Sequence, residues 1–253
     1  MIQIIGNSPQ VFELLNWIGR AAPSKLPVLI TGETGVGKHL VATAIHYEGP
    51  RRSSPFISLN CAAVSEQLLE AELFGYRRGA FSGAEQDRDG LLLLAQGGTF
   101  IFDEIGELPS TLQGKILTVL ESSTLRPLGA DSEIKIDTRF LFATHQDLRA
   151  LVKKTRFRPD LLDRLAALEI RVLSLRERIE DLPLLIRHFE SLEARGNPPL
   201  VFEEAALGLL NAYSWPGNIR ELRNVIARLV MTRNERDRIC AEDVQLLLRQ
   251  KPS

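Results

Sequence analysis

Val11, Leu14, Leu15 and Ile18 recur at three- and four-residue intervals, so Pro9–Arg20 is predicted to be an amphipathic helix. Four short apolar runs follow, each bounded by turn-forming residues: PVLIT (27–31), PFISLNC (55–61), GGTFIFDEI (97–105) and TRFLFATH (138–145). Their length and their bounding residues mark them as buried strands. Between them lie the helical segments HLVATAIHYEG, SEQLLEAELFG with Ser65 as its N-cap, and STLQGKILTVLES. A further helical stretch reaches about Ala167. Strands alternating with helices predict an α/β fold, its parallel sheet covered on both faces. From Ile179 onward the pattern is helical only, over about Asp181–Ala194, Glu203–Tyr213, Ile219–Asn234 and Ala241–Gln250, with Arg195–Pro199 as a loop. Residues 1–172 are therefore expected to form an α/β unit and residues 173–253 a smaller helical one.

Composition narrows the class without deciding it. The 253 residues carry a net charge of −1, so the chain as a whole is not a basic nucleic-acid binder. Its two cysteines, Cys61 and Cys240, cannot make a disulfide framework. No apolar run is long enough to span a bilayer, and the N-terminus lacks a signal-peptide pattern. These features lead to the expectation of a cytoplasmic protein with no membrane partner.

The first strand runs into GETGVGKH, Gly32 to His39, which fits G-x-x-x-x-G-K ahead of a helix. Glycines let the backbone curl so that its N–H groups face phosphate oxygens, and Lys38 adds a point charge. The last position of this pattern is commonly Ser or Thr, which ligates Mg²⁺; here it is His39, a poor ligand for that ion. The metal must then rely on water and a carboxylate. TFIFDE supplies one, delivering Asp103 and Glu104 at a strand's C-terminal end. Asp103 suits the metal shell, and Glu104 suits polarising an attacking water. Asn60, Thr144 and His145 close two other strands, and jointly suggest sensing of the γ-phosphate. Each could equally be an ordinary turn residue.

Two further segments offer arginines. FRPDLLDRL places Arg158 and Arg164 six apart. They suit arginine fingers acting on a neighbour's nucleotide, or surface pairs with Asp160 and Asp163, and the spacing leaves both open. WPGNIREL opens a helix with Asn218 as the expected N-cap and Arg220 in its first turn. A cation there opposes the helix dipole, which is understandable if Arg220 faces a nucleotide phosphate, or if a nearby acid pairs with it.

With these pieces in place, the chain resembles the central AAA+ domain of the sigma-54-dependent bacterial enhancer-binding proteins, the NtrC-like activators. GETGVGK resembles their Walker A and GGTFIFDE their Walker B, while FRPDLLDRL resembles their arginine-finger segment and WPGNIREL their sensor II. GAFSGA resembles their GAFTGA signature, which other AAA+ proteins lack. The resemblance implies an AAA+ P-loop ATPase with a helical lid, binding ATP and Mg²⁺. It implies nucleotide contacts from Gly32, Glu33, Thr34, Gly35, Val36, Gly37, Lys38, His39 and Arg220, with Thr144, His145 and Arg220 as sensors. Lys38, Asn60, Asp103, Glu104, Arg158 and Arg164 become the catalytic set, with Asp103 on the metal and a switch between Asn60 and Glu104. Gly79, Ala80, Phe81, Ser82, Gly83 and Ala84 become a loop projecting toward the pore of a homo-oligomeric ring, a hexamer or heptamer, to contact sigma-54. Leu128–Ala130 resembles a second pore loop.

The chain departs from the family pattern at four places. Ser82 replaces a threonine, His39 follows the Walker lysine, Gly90–Leu93 replaces G-R-F-E, and Pro159 follows the first arginine finger. The loop departures bear on coupling to sigma-54 rather than on hydrolysis. The family usually carries a sensory domain before this one and a helix-turn-helix domain after it. The chain is accordingly expected to be an excised central domain, its DNA contact lying in a domain absent here, or a variant without its own enhancer contact. A remodelling ATPase with another protein client and a weakly hydrolysing ATP-sensing scaffold are the competing functions.

Overall fold

The computed structural model describes residues 3–193, 199–232 and 238–249. Five strands form one sheet: β1 (Val28–Thr31), β2 (Phe56–Asn60), β3 (Thr99–Asp103), β4 (Arg139–Thr144) and β5 (Leu168–Arg171). Their spatial order is β2-β3-β4-β1-β5, and every pair is parallel. Side chains alternate across the pleat. Leu29, Phe100, Phe102 and Phe142 pack on one side with the helices Glu66–Phe74, Ser110–Ser122 and Pro159–Leu165. Val28, Ile30, Ile101, Leu141, Ala143 and Ile170 pack on the other, with the helices Pro9–Ala21 and Lys38–Tyr47. Both faces are buried, which is why the central strands read as continuous apolar runs. The parallel register brings Asn60 level with Asp103, and Thr31 level with both Thr144 and Arg171, along one sheet edge.

Residues from Leu175 onward form a separate apolar cluster centred on the fully buried Trp215, whose indole N–H donates to the Leu210 carbonyl at 2.9 Å. Its helices are Leu182–Glu193, Glu204–Ala212, Asn218–Thr232 and Ala241–Arg249. Asp181 ties this cluster to the chain's start, accepting from the backbone N–H groups of Asn7 and Ser8 and from the Ser8 hydroxyl.

The structure corrects several details of the sequence reading. β5 was not recognised as a strand: its sequence LEIR buries only Ile170 fully, as befits an edge strand. The helical stretch before it is two helices, Leu148–Lys153 and Pro159–Leu165. Thr155 with φ +55 breaks the first, and Pro159 disfavours helical backbone at Arg158. The C-terminal region is not purely helical, because Val201–Phe202 pairs in parallel with Arg238–Ile239, and two residues leave no periodicity to detect. Ser65 stands at the N-cap position but its side chain makes no capping bond. The expected loop Arg195–Pro199 lies outside the described residues except for Pro199. Among the described residues no helix is long and apolar enough to cross a membrane.

Candidate functional site

The loop after β1 turns through three glycines with positive φ, Gly32, Gly35 and Gly37, before the helix Lys38–Tyr47 begins. Gly35 has a second reason to be glycine. A Cβ there would lie 2.2 Å from the Gly217 carbonyl oxygen, so the phosphate loop and the WPGN turn touch backbone to backbone. The Lys38 side chain is 6% exposed and its ammonium donates to the carbonyls of Gly32 at 2.9 Å and Glu33 at 3.2 Å. It also stands 3.6 Å from a Glu104 carboxylate oxygen.

Across the sheet edge, Asp103 ends β3 and accepts from the Glu104 N–H at 3.1 Å. Glu104 itself adopts left-handed backbone (φ 54, ψ 51), the step that turns the chain off the strand. Its Oε2 accepts from the His145 backbone N–H at 3.1 Å and lies 2.6 Å from His145 Nδ1. Asn60 is near but otherwise engaged, its Oδ1 accepting from Ala62 N–H at 2.9 Å. No hydrogen bond joins Asn60 to Glu104 among the described residues, and Glu104 bonds His145 instead. Thr144 is fully buried, with its hydroxyl accepting from Gln146 N–H at 3.0 Å.

Lys38, Asn60, Asp103, Glu104, His145 and Arg220 line one cavity of about 570 Å³, together with the phosphate loop from Thr34 to His39. Arg220 forms no ion pair with an acid among the described residues, and its backbone N–H donates to the Gly35 carbonyl at 3.3 Å. The cavity continues into an apolar end lined by Ile4, Ile5, Leu185 and Phe189, of a kind that suits a nucleobase. A positively curled glycine loop, a buried lysine and a carboxylate at one mouth fit a nucleoside triphosphate. They also fit a Mg²⁺ held by Asp103 and water, the habit of that ion. His39 is exposed and packs its ring edge-on to Phe56 at 6.0 Å.

Asn218 does not cap its helix, as the sequence had suggested. It is fully buried with φ +53, and its amide donates to the Thr34 carbonyl at 3.0 Å and to Glu33 at 3.1 Å. Its Oδ1 accepts from Leu175 N–H at 2.8 Å. Arg176 grips the same Glu33 carboxylate bidentately. That hydrogen bonding, from Arg176 first and then Asn218, holds the Glu33 carboxyl down at about 2. The clamp therefore stabilises the fold above the ordinary carboxylate value and is lost as pH falls toward the depressed one. Arg176 escaped the sequence reading, because LRER alone does not say which acid it meets. We expect Asn218→Ala to destabilise the fold by about 2–3 kcal/mol, since the buried Leu175 N–H and the part-buried Thr34 carbonyl lose their partner and a left-handed residue becomes alanine. Thermal unfolding checks this, and an unchanged melting temperature would refute the clamp.

The GAFSGA segment lies apart from the cavity, on a short hairpin of Gly75–Tyr76 against Arg88–Asp89. Gly79 and Gly83 both have positive φ, and Gly79 N–H donates to the Ala84 carbonyl at 2.9 Å, closing a compact turn. Phe81 is 45% exposed, with its ring edge-on to Tyr76 at 4.9 Å. Arg77 N–H donates to the Leu128 carbonyl at 2.9 Å and Leu128 N–H to the Gly75 carbonyl at 3.0 Å, so the segment around Leu128 is stitched to the hairpin. Leu91–Leu94 form a short helix whose Leu92 is fully buried, while Leu91 and Leu93, which stand where the family has Arg and Glu, are partly buried against the same core.

The sigma-54 interaction domain family matches residues 4–171, and the AAA+ ATPase lid domain family matches residues 176–253. The chain belongs to the sigma-54 interaction domain family. Among its relatives, the transcriptional regulator NtrC of Azospirillum brasilense is 44% identical over 229 residues, 90% of this chain and 48% of that protein. The regulatory protein AtoC of Escherichia coli is 44% identical over 249 residues, 98% of this chain and 54% of its own. The chain spans about half the length of the curated relatives it matches. The crystal structure of NtrX from Brucella abortus in complex with ADP superposes with a TM-score of 0.89 at 33% identity, covering 96% of this chain and 55% of that one. NtrX in complex with ATP gives 0.87 at 34% identity, covering 95% and 56%. This chain is thus an AAA+ ATPase-family domain homologous to those of NtrC-like sigma-54-dependent activators.

Within this sigma-54 interaction domain the two candidate arginine fingers stand outside the cavity. Arg158 is exposed and pairs with Asp160 at 2.7 Å, as the surface reading anticipated. Arg164 is also exposed, and its guanidinium reaches the Leu120 carbonyl at 3.5 Å rather than Asp163. The Arg158 backbone is fixed from below by the buried Gln113, whose Oε1 accepts from Arg158 N–H at 2.8 Å.

Proposed function

We propose that this domain hydrolyses ATP and uses the cycle to contact and remodel the sigma-54 RNA polymerase closed complex, permitting transcription initiation. The observation that carries the reading is the presence, on one chain, of the Lys38–Asp103–Glu104 cavity and a separate exposed GAFSGA loop. Residues 1–172 serve as the ATPase subdomain and 173–253 as its lid. The phosphate loop and Lys38 bind the triphosphate, and Arg220 reports from the lid. Asp103 would hold Mg²⁺, which neutralises charge on the phosphate oxygens. Glu104 polarises the attacking water. Arg158 and Arg164 reach a neighbouring subunit's nucleotide, which calls for a ring of identical chains, a hexamer or heptamer. Phe81 makes the sigma-54 contact, and the paired loop around Leu128 moves with it. Work on RNA polymerase places the domain in the cytoplasm, with DNA contact left to another domain.

The test is a native-gel assay with sigma-54, run with ADP–aluminium fluoride and with ADP alone. A complex formed only in the trapped state is expected. Absence of any complex, from protein that hydrolyses ATP and assembles, would transfer the activity to a different client.

A further inference from the structure

Gln113 stands on the helix Ser110–Ser122 and is 1% exposed, yet its amide is fully used. Its Nε2 donates to the carbonyls of Leu108 and Arg156, both at 3.0 Å, and its Oε1 accepts from the Arg158 N–H at 2.8 Å. Two carbonyls need donors and one N–H needs an acceptor, so a single setting of the amide serves all three. The bonds join two places far apart in sequence. Leu108 ends the short turn that Glu104 begins, and Arg156 and Arg158 flank the buried Phe157. Arg158 has extended backbone (φ −76, ψ 133), and its N–H has no backbone acceptor among the described residues. Pro159 follows, with no N–H of its own to add to the anchoring. The helix also passes close to the Arg158 side chain, where a Cβ on Gly114 would lie 3.6 Å from Nη1.

We infer that Gln113 is a positioning residue for Arg158, its amide fixing the backbone from which the guanidinium reaches a neighbouring subunit's nucleotide. This rests on the trans role proposed for Arg158 above. Phe157 alone anchors the segment in the core but leaves the peptide planes on either side of it free to turn. Gln113 fixes both planes, one through the Arg156 carbonyl and the other through the Arg158 N–H. The guanidinium sits at the end of a long side chain, so a small rotation of the backbone carries the charge well away from its target. Small misplacements of a catalytic group lower the rate steeply. The third bond, to Leu108, sets the finger against the turn that carries the same chain's Glu104. Gln113 does not line the nucleotide cavity, so removing its amide leaves the chain's own nucleotide contacts in place.

The experiment measures steady-state ATP turnover of the parent, Gln113→Met, Arg158→Ala, the double variant Gln113→Met/Arg158→Ala, and mixtures of subunits. Methionine fills the space of glutamine without its donors or acceptor. For Gln113→Met, kcat should fall roughly 10- to 100-fold with KM unchanged. In the Arg158→Ala background the same change should add nothing, because there is no guanidinium left to position. Mixing tests the route. Gln113→Met subunits should regain activity with Lys38→Ala subunits, which keep a well-placed Arg158, and none with Arg158→Ala subunits. A merely structural role would harm the chain's own cavity and would reverse that pattern or abolish recovery altogether. If Gln113→Met does not fold, Gln113→Asn, which keeps an amide but lacks the reach for all three bonds, enters the same comparisons. Parental kcat, a loss confined to KM, additive losses in the double variant, recovery with Arg158→Ala subunits, or recovery with neither partner would each overturn the assignment. Parental turnover by Arg158→Ala would instead defeat the finger reading itself.

Discussion

Glu104→Gln is expected to bind ATP as tightly as the parent and to turn it over on the order of 10²- to 10⁴-fold more slowly. Glutamine matches glutamate in size, so the left-handed turn at the end of β3 has no steric reason to change. Its amide oxygen can still accept from the His145 N–H. Only the negative charge that polarises water is lost. The phosphate loop and Lys38, which on the proposed reading provide most of the binding, are untouched, and the Lys38 ammonium loses a competing carboxylate 3.6 Å away. Affinity should therefore hold or tighten while kcat collapses. Fluorescent-nucleotide titration and phosphate release separate the two quantities. A kcat within threefold of the parent would remove Glu104 from the catalytic set and favour a binding scaffold.

Arg158→Ala is expected to lower kcat on the order of 10³-fold, by analogy with arginine fingers generally. The fold should barely notice. Among the described residues Arg158 is paired only with Asp160, both are exposed, and pairs of that kind contribute little. The same weakness lets the guanidinium leave Asp160 for a neighbour's phosphate. Mixing supplies the decisive arm. Arg158→Ala subunits keep an intact cavity, and Lys38→Ala subunits keep an intact arginine, so mixed rings should recover part of the activity that neither variant has alone. Recovery would place the arginine in trans. Normal turnover by Arg158→Ala alone would leave it as the surface pair that its contact with Asp160 already describes.

Features that depend on near neighbours along the chain can be read from the residues alone. Gly32–His39 is legible because the curl, the lysine and the following helix are all set within eight consecutive residues. Asp103 and Glu104 are legible because an apolar run ends in two acids, and GAFSGA because its glycines and phenylalanine are contiguous. The three central strands and the edge strand FISLN announced themselves as apolar runs, whereas the opposite edge strand LEIR, with exposed Glu169 and Arg171, did not. The tertiary structure decided which distant side chains meet. Asn218 reaches across 184 residues to the Thr34 carbonyl, and His145 across 41 to Glu104. The first meeting depends on how the C-terminal helices dock, the second on β4 lying beside β3. Strand order and docking are set by burial summed over whole faces, and short-range pattern carries little of that sum. The partners of Glu33 and Glu104 could thus be chosen only when the chain had closed on itself.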